Sequence, residues 1–444
     1  MIVQKFGGTS VGGAAPIRRL AEIVQRALPR RPVVVVSAVG GVTNALFQAS
    51  EVALKRGDWR AAHAALAAKH RTILAEVGVD ATLLDALLDE LSGLLRGVEL
   101  IGETTPRTLD QLASFGERLS VRLVAAHLAR VGLPAHAFDA WDAGLVTDSR
   151  FGGARPLADA PAKIRAALAS FDGVPVITGY VAKDAQGRVT TLGRGGSDWS
   201  AAIFGAALGA EEIQIWTDVD GVMTADPRIV PHAKQREKLS FAEAAELAFF
   251  GAKVLHPATM TPAIEADIPI RVLNSFRPDV PGTTVVARLS PGERGVKSIA
   301  SKHGIAVVNV VAAPMLLQFG FLERVADVFA RHEVVVDVIA TSEVSLALTT
   351  EPADATGRLE RVVAELSAFS AVTVLRDMAL VSVVGEELSD SQRVQGTVLG
   401  TLAELGVKVE MLSYGATRNN LSVVLPEARL KETVAALHAR LFER

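Results

Sequence analysis

Short apolar runs alternate with amphipathic helical patterns over roughly the first 290 residues. The run Val33-Val34-Val35-Val36 is apolar on both faces, which is typical of a strand covered on both sides by helices. Three further runs have the same character: 174–180, 213–216 and 268–273. Residues 16–28 instead place their apolar side chains on one stripe of a helix. The alternation predicts a βαβ-type sheet domain over residues 1–290, with an all-helical excursion at about 58–130.

Beyond a proline- and glycine-rich boundary at 277–282, the pattern becomes two βαββα copies of about 70 residues each. The first copy finds a closing strand at 371–375, whereas the second ends after its last helix. An open βαββα sheet would leave an unpaired edge, so we expect residues 297–302 to complete the second copy. The first copy is then inserted within the second. The predicted domains are 1–290, then 304–377, then 296–303 together with 378–444.

Composition excludes several classes of protein. The 444 residues contain no cysteine, which rules out disulfides, thiolate metal sites and cysteine nucleophiles. The formal net charge of −3 comes without a basic block, so we expect no nucleic-acid partner. Neither a secretory signal nor an apolar run long enough to cross a membrane is present, which predicts a cytoplasmic protein without membrane contact.

Two glycine-rich turns stand where strands are expected to give way to helices. Lys5-Phe6-Gly7-Gly8 ends the first strand, and Gly193-Arg194-Gly195-Gly196-Ser197-Asp198 precedes a helix predicted at 199–208, with Ser197 as its N-cap. Either turn alone is compatible with an ordinary tight connection. A lysine at a buried strand end and an arginine inside a glycine turn indicate instead that anions bind there.

Six blocks then resemble the signatures of aspartate kinases, in the order typical of that family: KFGGTSV (5–11), SAVGGVTN (37–44), SFGERLS (114–120), TTLGRGGSDWSA (190–201), WTDVDGVMTADPR (216–228) and FFGAKVLHPATM (249–260). The C-terminal repeat resembles the paired ACT domains of these enzymes. The resemblance implies an α/β fold: a three-layer amino-acid-kinase domain with an eight-stranded, mainly parallel sheet, followed by two intertwined βαββαβ ACT domains. It also implies ATP-dependent phosphorylation of the β-carboxylate of L-aspartate to 4-phospho-L-aspartate, the first step of aspartate-family amino-acid biosynthesis.

The resemblance implies catalytic roles for Lys5, Asp198 and Lys253. Two anions must meet in this reaction, so cations close to both of them are required. Lys5 resembles the lysine that bridges the transferring phosphoryl group and the acceptor carboxylate, and Lys253 resembles a second cation at the ATP phosphates.

Further matching positions are those expected to bind the substrates. Arg194 and Ser197 match the residues that hold the α-carboxylate of aspartate, Glu117 and Asp198 suit its α-ammonium group, and Thr43 matches the hydroxyl beside its reacting carboxylate. The ATP-binding residues implied by the resemblance are Lys5, Gly7, Gly8, Thr217, Asp218, Met223, Arg228, Lys253 and Val254. Close relatives often carry tyrosine at the position of Met223. Mg²⁺ is expected to bind mainly ATP oxygens and water, so no dedicated protein metal site is predicted.

The C-terminal repeat implies feedback regulation by an amino acid, with lysine as the expected effector. The matching effector residues are Met315, Gln318, Phe321, Leu322, Val336, Asp337, Ser342 and Glu343. The sequence also departs from the lysine-binding pattern, since Leu317, Phe319 and Val335 replace polar residues that are usual there. Pairing of ACT domains predicts a homodimer or a dimer of dimers.

Three alternatives to a monofunctional aspartate kinase fit the sequence less well. Kinases of glutamate, acetylglutamate or nucleotides share the fold class but lack the paired ACT tail and the Gly116-Glu117 block. A bifunctional kinase and homoserine dehydrogenase would need a further dinucleotide domain after residue 444. A sensor without activity is disfavoured by the charged residues retained at the matching positions. The sequence leaves open whether the product serves lysine, threonine and methionine, or ectoine synthesis.

Overall fold

The computed structural model describes residues 1–169, 171–250, 257–311, 320–351, 357–386, 388, 391–415 and 417–443. The chain divides into two compact units. The first contains Met1–Val222, Glu237–Phe241 and Val254–Arg288, and the second contains Met223–Arg236, Ala242–Lys253 and Leu289–Arg444.

The described residues of the first unit form eleven strands: β1 (Ile2–Phe6), β2 (Pro32–Val36), β3 (Ala135–Phe138), β4 (Val146–Thr147), β5 (Val174–Thr178), β6 (Val181–Asp184), β7 (Val189–Thr191), β8 (Glu212–Thr217), β9 (Lys238–Ser240), β10 (Ile270–Asn274) and β11 (Thr283–Val286). Eight of them form one sheet in the order β3-β5-β2-β1-β8-β10-β11-β9. Every neighbouring pair in that sheet is parallel except β10 with β11. The expectation of an eight-stranded, mainly parallel sheet is confirmed.

The described helices are α1 (Ala14–Ala27), α2 (Val42–Leu54), α3 (Trp59–Val77), α4 (Asp85–Ile101), α5 (Pro106–Arg130), α6 (Ala160–Leu168), α7 (Gly196–Leu208), α8 (Phe241–Phe249), α9 (Pro257–Glu265), α10 (Phe321–Arg331), α11 (Arg358–Leu366), α12 (Gln392–Glu404) and α13 (Leu430–Phe442). Helices α3, α4 and α5 are the predicted all-helical excursion. Within the described residues, no helix is both long and apolar enough to cross a membrane.

Alternating side chains of the central strands explain the three layers of the first unit. Phe6 and Trp216 belong to the core that β1, β2 and β8 share with α1–α5. Residues one position away point to the other face, where α7 packs. Gly205 of α7 comes so close to the side chain of Ile213 that a Cβ there would lie 2.6 Å from it. The sheet therefore has helices on both faces, as the fully apolar run of β2 predicts.

A small sheet beside the main one was not expected from the sequence. Strands β4, β6 and β7 form it, in the order β4-β6-β7. The run predicted to lead into the second glycine turn is β7 of this small sheet rather than a strand of the main sheet. The reason is local: β6 and β7 pair as an antiparallel hairpin, which keeps β7 apart from the parallel ladder.

The second unit contains β12 (Val296–Val311), β13 (Val336–Thr341), β14 (Ser345–Thr350), β15 (Ala371–Gly385), β16 (Met411–Tyr414) and β17 (Asn420–Pro426). These strands form one sheet in the order β13-β14-β12-β15-β17-β16, and its pairs are antiparallel. The first part of β12 pairs with the last part of β15, from Lys302 with Leu380 to Val296 with Gly385. The second part of β12 pairs with β14 and with the start of β15.

Candidate active site

The candidate site lies at the edge of the main sheet where its parallel strands end. Strands β1 and β8 run in register, with Lys5 opposite Ile215 and Phe6 opposite Trp216. Residues directly after these strands therefore share one edge, which is where α/β sheets bind ligands. The backbone N–H of Gly7 donates to the carbonyl of Trp216 at 3.1 Å, and this bond joins the first glycine turn to the end of β8.

Lys5 is a buried cation held by one carboxylate. Its residue exposure is 9%, and its Nζ lies 2.6 Å from Oδ1 of Asp198. Asp198 stands in the first turn of α7, so the ion pair joins β1 to the start of that helix. A desolvated lysine needs an anionic partner. Asp198 supplies it and at the same time fixes the ammonium group at the edge of the sheet.

Glu117 is a second buried charged residue, in the middle of α5. It is 3% exposed, and its Oε1 accepts a hydrogen bond of 3.1 Å from the backbone N–H of Ala38. Oε2 has no hydrogen-bond partner within the described ranges. Burial raises the pKa of Glu117 to about 8, and the bond from Ala38 and the charge of Lys5 partly oppose that rise. A buried carboxylate with a free oxygen can receive a cation.

Two close approaches explain the glycines around Glu117 and the first turn. A Cβ at Gly116 would lie 2.7 Å from the Cβ of Ala38, so only glycine lets α5 approach the segment that follows β2. A Cβ at Gly8 would lie 2.9 Å from the carbonyl oxygen of Ala38. The backbone N–H of Gly40 donates to the carbonyl of Gly8 at 3.0 Å. The two glycine-containing loops therefore abut beside Glu117.

Thr43 borders the same place. It is half-buried in the first turn of α2, which begins after the left-handed Gly41. A Cβ at Gly116 would lie 3.7 Å from Thr43 Oγ1. The hydroxyl group therefore lies near the turn of α5 that carries Glu117.

Helix α7, which follows the second glycine turn, begins earlier than predicted. Gly193 and Gly195 have φ of 78° and 73°, in the left-handed region that favours glycine. The left-handed Gly195 is the N-cap of α7, which begins at Gly196, so Ser197 lies within the first turn and the prediction of Ser197 as N-cap is wrong. Arg194 is exposed and makes no hydrogen bond or ion pair with the part of the chain that the structure describes.

Thr217 and Asp218 stand at the exposed end of β8, next to Gly7. The carbonyl of Thr217 accepts bonds from the backbone N–H and the hydroxyl of Ser275, at 2.8 and 3.0 Å. The hydroxyl of Ser275 lies 2.7 Å from that of Ser10, just after the first glycine turn. A small hydroxyl network therefore connects the ends of β1, β8 and β10.

The other predicted ATP-binding residues fall either in the second compact unit or outside the described residues. Met223 and Arg228 belong to the second compact unit. There the exposed Arg228 pairs with Asp226, with 2.6 Å between its Nη2 and Oδ2 of the carboxylate. Lys253 and Val254 fall outside the described residues.

The predicted effector residues occupy several environments. Asp337 is the only one of them for which the described part of the chain shows an ion pair: its Oδ2 lies 2.6 Å from Nζ of Lys302, and its side chain is 5% exposed. Phe321 is buried in the core of α10 and α11, and Val336 packs against that core. Leu322, Ser342 and Glu343 are exposed, and Ser342 Oγ lies 2.7 Å from Ser345 Oγ. Met315 and Gln318 lie outside the described residues.

Asp110 is a further buried carboxylate on the same helix as Glu117, and it was not predicted as a site residue from the sequence. It is 4% exposed and accepts bonds from the backbone N–H of Gly152 and from both the N–H and the hydroxyl of Thr191. Burial raises its pKa, and these hydrogen bonds oppose that rise. The available signal was its spacing: seven residues before Glu117 is two helical turns, so both lie on one face.

Comparisons with known proteins agree with the fold of the chain. The sequence profile of the amino acid kinase family matches residues 1–274, and that of an ACT domain matches residues 381–441. Aspartokinase 2, chloroplastic, of Arabidopsis thaliana is 38% identical over 99% of the chain and 84% of its own length. Lysine-sensitive aspartokinase 3 of Escherichia coli (strain K12) is 36% identical over 100% of the chain and 99% of its own length.

Two solved structures of Escherichia coli aspartokinase III are also similar. The complex with lysine and aspartate, in the T-state, superimposes with a TM-score of 0.85 at 35% identity, covering 100% of the chain and 99% of that protein. The complex with aspartate and ADP, in the R-state, gives a TM-score of 0.81 at 35% identity and covers 100% of both chains.

Proposed function

The chain belongs to the aspartokinases of the amino acid kinase family, and on that basis we propose which of its residues bind and phosphorylate L-aspartate. The reaction transfers the γ-phosphoryl group of ATP to the β-carboxylate of L-aspartate and gives 4-phospho-L-aspartate and ADP. A carboxylate oxygen forms a bond to phosphorus while the bond from phosphorus to the ADP oxygen breaks. We propose that this is the first step of aspartate-family amino-acid biosynthesis in the source organism.

The observation that carries the proposal is the buried pair of Lys5 and Asp198. Carboxylate and triphosphate repel each other, and phosphoryl transfer leaves the protein chiefly the work of positioning them and cancelling their charge. In a site shielded from water, one fixed ammonium group acts on both anions more strongly than it would in bulk solvent. Lys5 is assigned that role, and Asp198 holds it in place.

The charged groups of aspartate have matching partners around this pair. Oε2 of Glu117, which has no hydrogen-bond partner among the described residues, is assigned to the α-ammonium group, since a buried carboxylate is stabilised by a cation. Arg194 is exposed and unpaired within the described residues, and its guanidinium fork suits the α-carboxylate. Ser197 supports that contact from the first turn of α7, and Thr43 is assigned to the β-carboxylate.

The nucleotide is assigned to the edge formed by the ends of β1 and β8. Gly7 and Gly8 have no side chains, so phosphates can approach the backbone closely there, and Thr217 and Asp218 border the same edge. Met223, Arg228, Lys253 and Val254 remain assigned from the resemblance. We propose that ATP enters with Mg²⁺, whose ligands are mainly phosphate oxygens and water, with Asp198 or Asp218 as carboxylates within the same region.

The regulatory region is assigned as two nested ACT domains, 304–377 within 296–303 and 378–444, following a catalytic domain of 1–290. Support comes from the strand pairing, in which residues 296–302 pair with 380–385 while residues 305–311 pair with 371–378. ACT pairing between subunits, giving a homodimer or a dimer of dimers, and a cytoplasmic location remain predictions of the sequence.

Lysine is proposed as the effector, with Asp337 as the partner of one of its ammonium groups. The described fold already places the ammonium group of Lys302 at that carboxylate. A free lysine would then have to compete with a tethered ammonium group for the same oxygen, so lysine should inhibit at a higher concentration than an open site would need. An effector acts only through its different affinities for two states of the enzyme.

The assigned activity is tested by following ADP release with ATP and one acceptor at a time. L-aspartate should support turnover, whereas L-glutamate and N-acetylglutamate should support little. Turnover with either of the latter acceptors and none with aspartate would contradict the proposed substrate. Omission of Mg²⁺ in the presence of a chelator should abolish the signal.

A further inference from the structure

The buried carboxylate of Asp110 has no part in the proposed chemistry, yet it is extensively hydrogen-bonded. Gly152 donates its backbone N–H to both carboxylate oxygens, at 3.1 and 2.9 Å. Thr191 donates its N–H to Oδ2 at 2.9 Å and its hydroxyl to Oδ1 at 2.7 Å. A carboxylate that is buried and fully occupied in this way holds its partners in one geometry.

The two partners of Asp110 define the position of the second glycine turn. Thr191 is the last residue of β7, three positions before Arg194. A Cβ at Gly193 would lie 3.0 Å from the carbonyl oxygen of Gly152, so the loop at 151–153 packs directly against the turn. The N–H of Ala154 also donates to the carbonyl of Thr191 at 2.8 Å. Asp110 thus fixes both segments from which the turn of Arg194 departs.

One further side chain beside this turn is that of Tyr180, which packs against the start of α7. Burial raises the pKa of the Tyr180 hydroxyl, and its interaction with the side chain of Thr191 opposes that rise. The Tyr180 ring lies so close to Gly196 that a Cβ there would be 2.7 Å from its Cδ2. Tyr180 itself has a left-handed φ of 67°, and its N–H donates to Ser200 Oγ at 3.0 Å. Left-handed backbone in a bulky residue is held only by its surroundings.

Asp110 and Glu117 also share a rigid element. They lie seven residues apart on α5, which is about 10.5 Å along the axis and nearly the same direction around it. Because Glu117 is fixed to Ala38 and Asp110 to the arginine turn, α5 sets the separation between these two parts of the site.

We propose that Asp110 is a positioning residue that selects the length of the amino-acid substrate, an inference that rests on the proposed function. Glu117 and Arg194 bind the two groups attached to the α-carbon, so their separation determines where that carbon lies. Lys5 determines where the reacting carboxylate must lie. With both ends of the substrate fixed, the single side-chain methylene group of aspartate fits between them, whereas the two methylene groups of glutamate do not. A loosened arginine turn would admit the longer dicarboxylic amino acid.

The inference is tested by kinetics on the full chain with L-aspartate and L-glutamate. Asp110→Asn keeps the shape of the side chain but replaces one carboxylate oxygen by an NH₂ group. That group would face the N–H and hydroxyl donors of Gly152 and Thr191. We expect the KM for aspartate to rise at least tenfold, with kcat and the KM for ATP changed less than threefold. The ratio of kcat/KM for aspartate to that for glutamate should fall at least tenfold. A merely structural role would instead change all parameters together or leave the ratio unaltered.

A second pair of variants keeps the test decisive should Asp110→Asn fail to fold. Thr191→Val removes the hydroxyl donor and should lower the same ratio, whereas Thr191→Ser retains the donor and should restore it to within threefold of the wild type. Equal ratios for Val and Ser variants would overturn the inference. A wild type that does not phosphorylate aspartate would instead contradict the proposed function, so the two failures are distinguishable.

Discussion

Nζ of Lys5 lies 2.6 Å from Oδ1 of Asp198, and this single contact joins the first strand of the main sheet to the start of α7. The lysine is therefore fixed before any substrate arrives. Preorganised charge is effective in catalysis because no reorganisation is needed during the reaction. Asp198 also lies in the first turn of α7, where the helix N-terminus interacts favourably with a negative charge.

Asp198→Asn should reduce kcat at least tenfold, because the ammonium group of Lys5 loses the charge that holds it, while the KM for ATP changes less. Steady-state kinetics with both substrates measures the effect. Asp159→Asn is the matched control, since Asp159 lies just before α6 and forms an exposed pair with Lys163 at 2.8 Å. Equal kinetics for Asp198→Asn and this control would show that the buried pair does not serve catalysis.

Aspartate binding should strengthen as pH rises from 6.5 to 8.5. The pKa of Glu117 is raised to about 8, so its ionised fraction grows across this range, and only the ionised form attracts the substrate ammonium group. The KM for aspartate should fall about 25-fold over the interval, in proportion to the rise in the ionised fraction. Glu117→Gln should have a high KM that no longer falls with pH.

The control for that profile is Glu22→Gln, which changes an exposed glutamate of α1. It should follow the wild-type curve. A wild-type KM that is flat or rises between pH 6.5 and 8.5 would contradict the assignment of Glu117 to the ammonium group.

Arg194→Ala should raise the KM for aspartate by about 10- to 100-fold, because a two-pronged contact with the α-carboxylate is lost. Arg194→Lys should recover only part of it, since an ammonium group cannot form the paired hydrogen bonds. Arg26→Ala removes an exposed arginine of α1 and serves as the control. Normal aspartate kinetics in Arg194→Ala would show that the turn has only a structural role.

Lys302→Met should lower the concentration of free lysine needed for half-inhibition by about tenfold. The reason is that free lysine no longer competes with the Lys302 ammonium group for Asp337. A tenfold change in affinity corresponds to about 1.4 kcal/mol. Lys408→Met removes an exposed lysine that pairs with Glu410 in the same unit and should change nothing. Inhibition curves at fixed aspartate measure both. An unchanged curve for Lys302→Met would show that Lys302 does not compete, and no inhibition in any variant would exclude lysine as the effector.

Periodicity predicted most of the elements, because buried strands and striped helices leave a direct trace in the sequence. The run at 33–36 lies within β2, and the all-helical excursion expected at about 58–130 contains α3, α4 and α5. The first residue of a helix was harder to predict where glycine conformation sets it. Helix α7 begins at Gly196 because Gly195 is left-handed, and no apolar pattern reveals that conformation. The small sheet of β4, β6 and β7 was missed for a similar reason, since its strands have two to four residues.

The candidate site was predictable where a charge occupies a place that would otherwise be apolar. Lys5 at a strand end and Glu117 within an apolar helix both met that criterion, and both are buried. Asp110 looked like any helical acid, because its partners, Gly152 and Thr191, lie 42 and 81 residues away in sequence. The pairing of Asp337 with Lys302 was hidden for the same reason.

The most direct test of the proposed active site measures formation of the acyl phosphate, trapped with hydroxylamine as aspartyl hydroxamate. The wild type, Lys5→Ala and the exposed control Lys55→Ala are compared. The wild type and the control should form hydroxamate at equal rates, in a reaction that needs both ATP and L-aspartate. Lys5→Ala should be at least about 100-fold slower, as expected for the loss of one preorganised donor, while it still binds ATP. Hydroxamate formation by Lys5→Ala within threefold of the wild type would contradict the assignment of Lys5 and the site built around it.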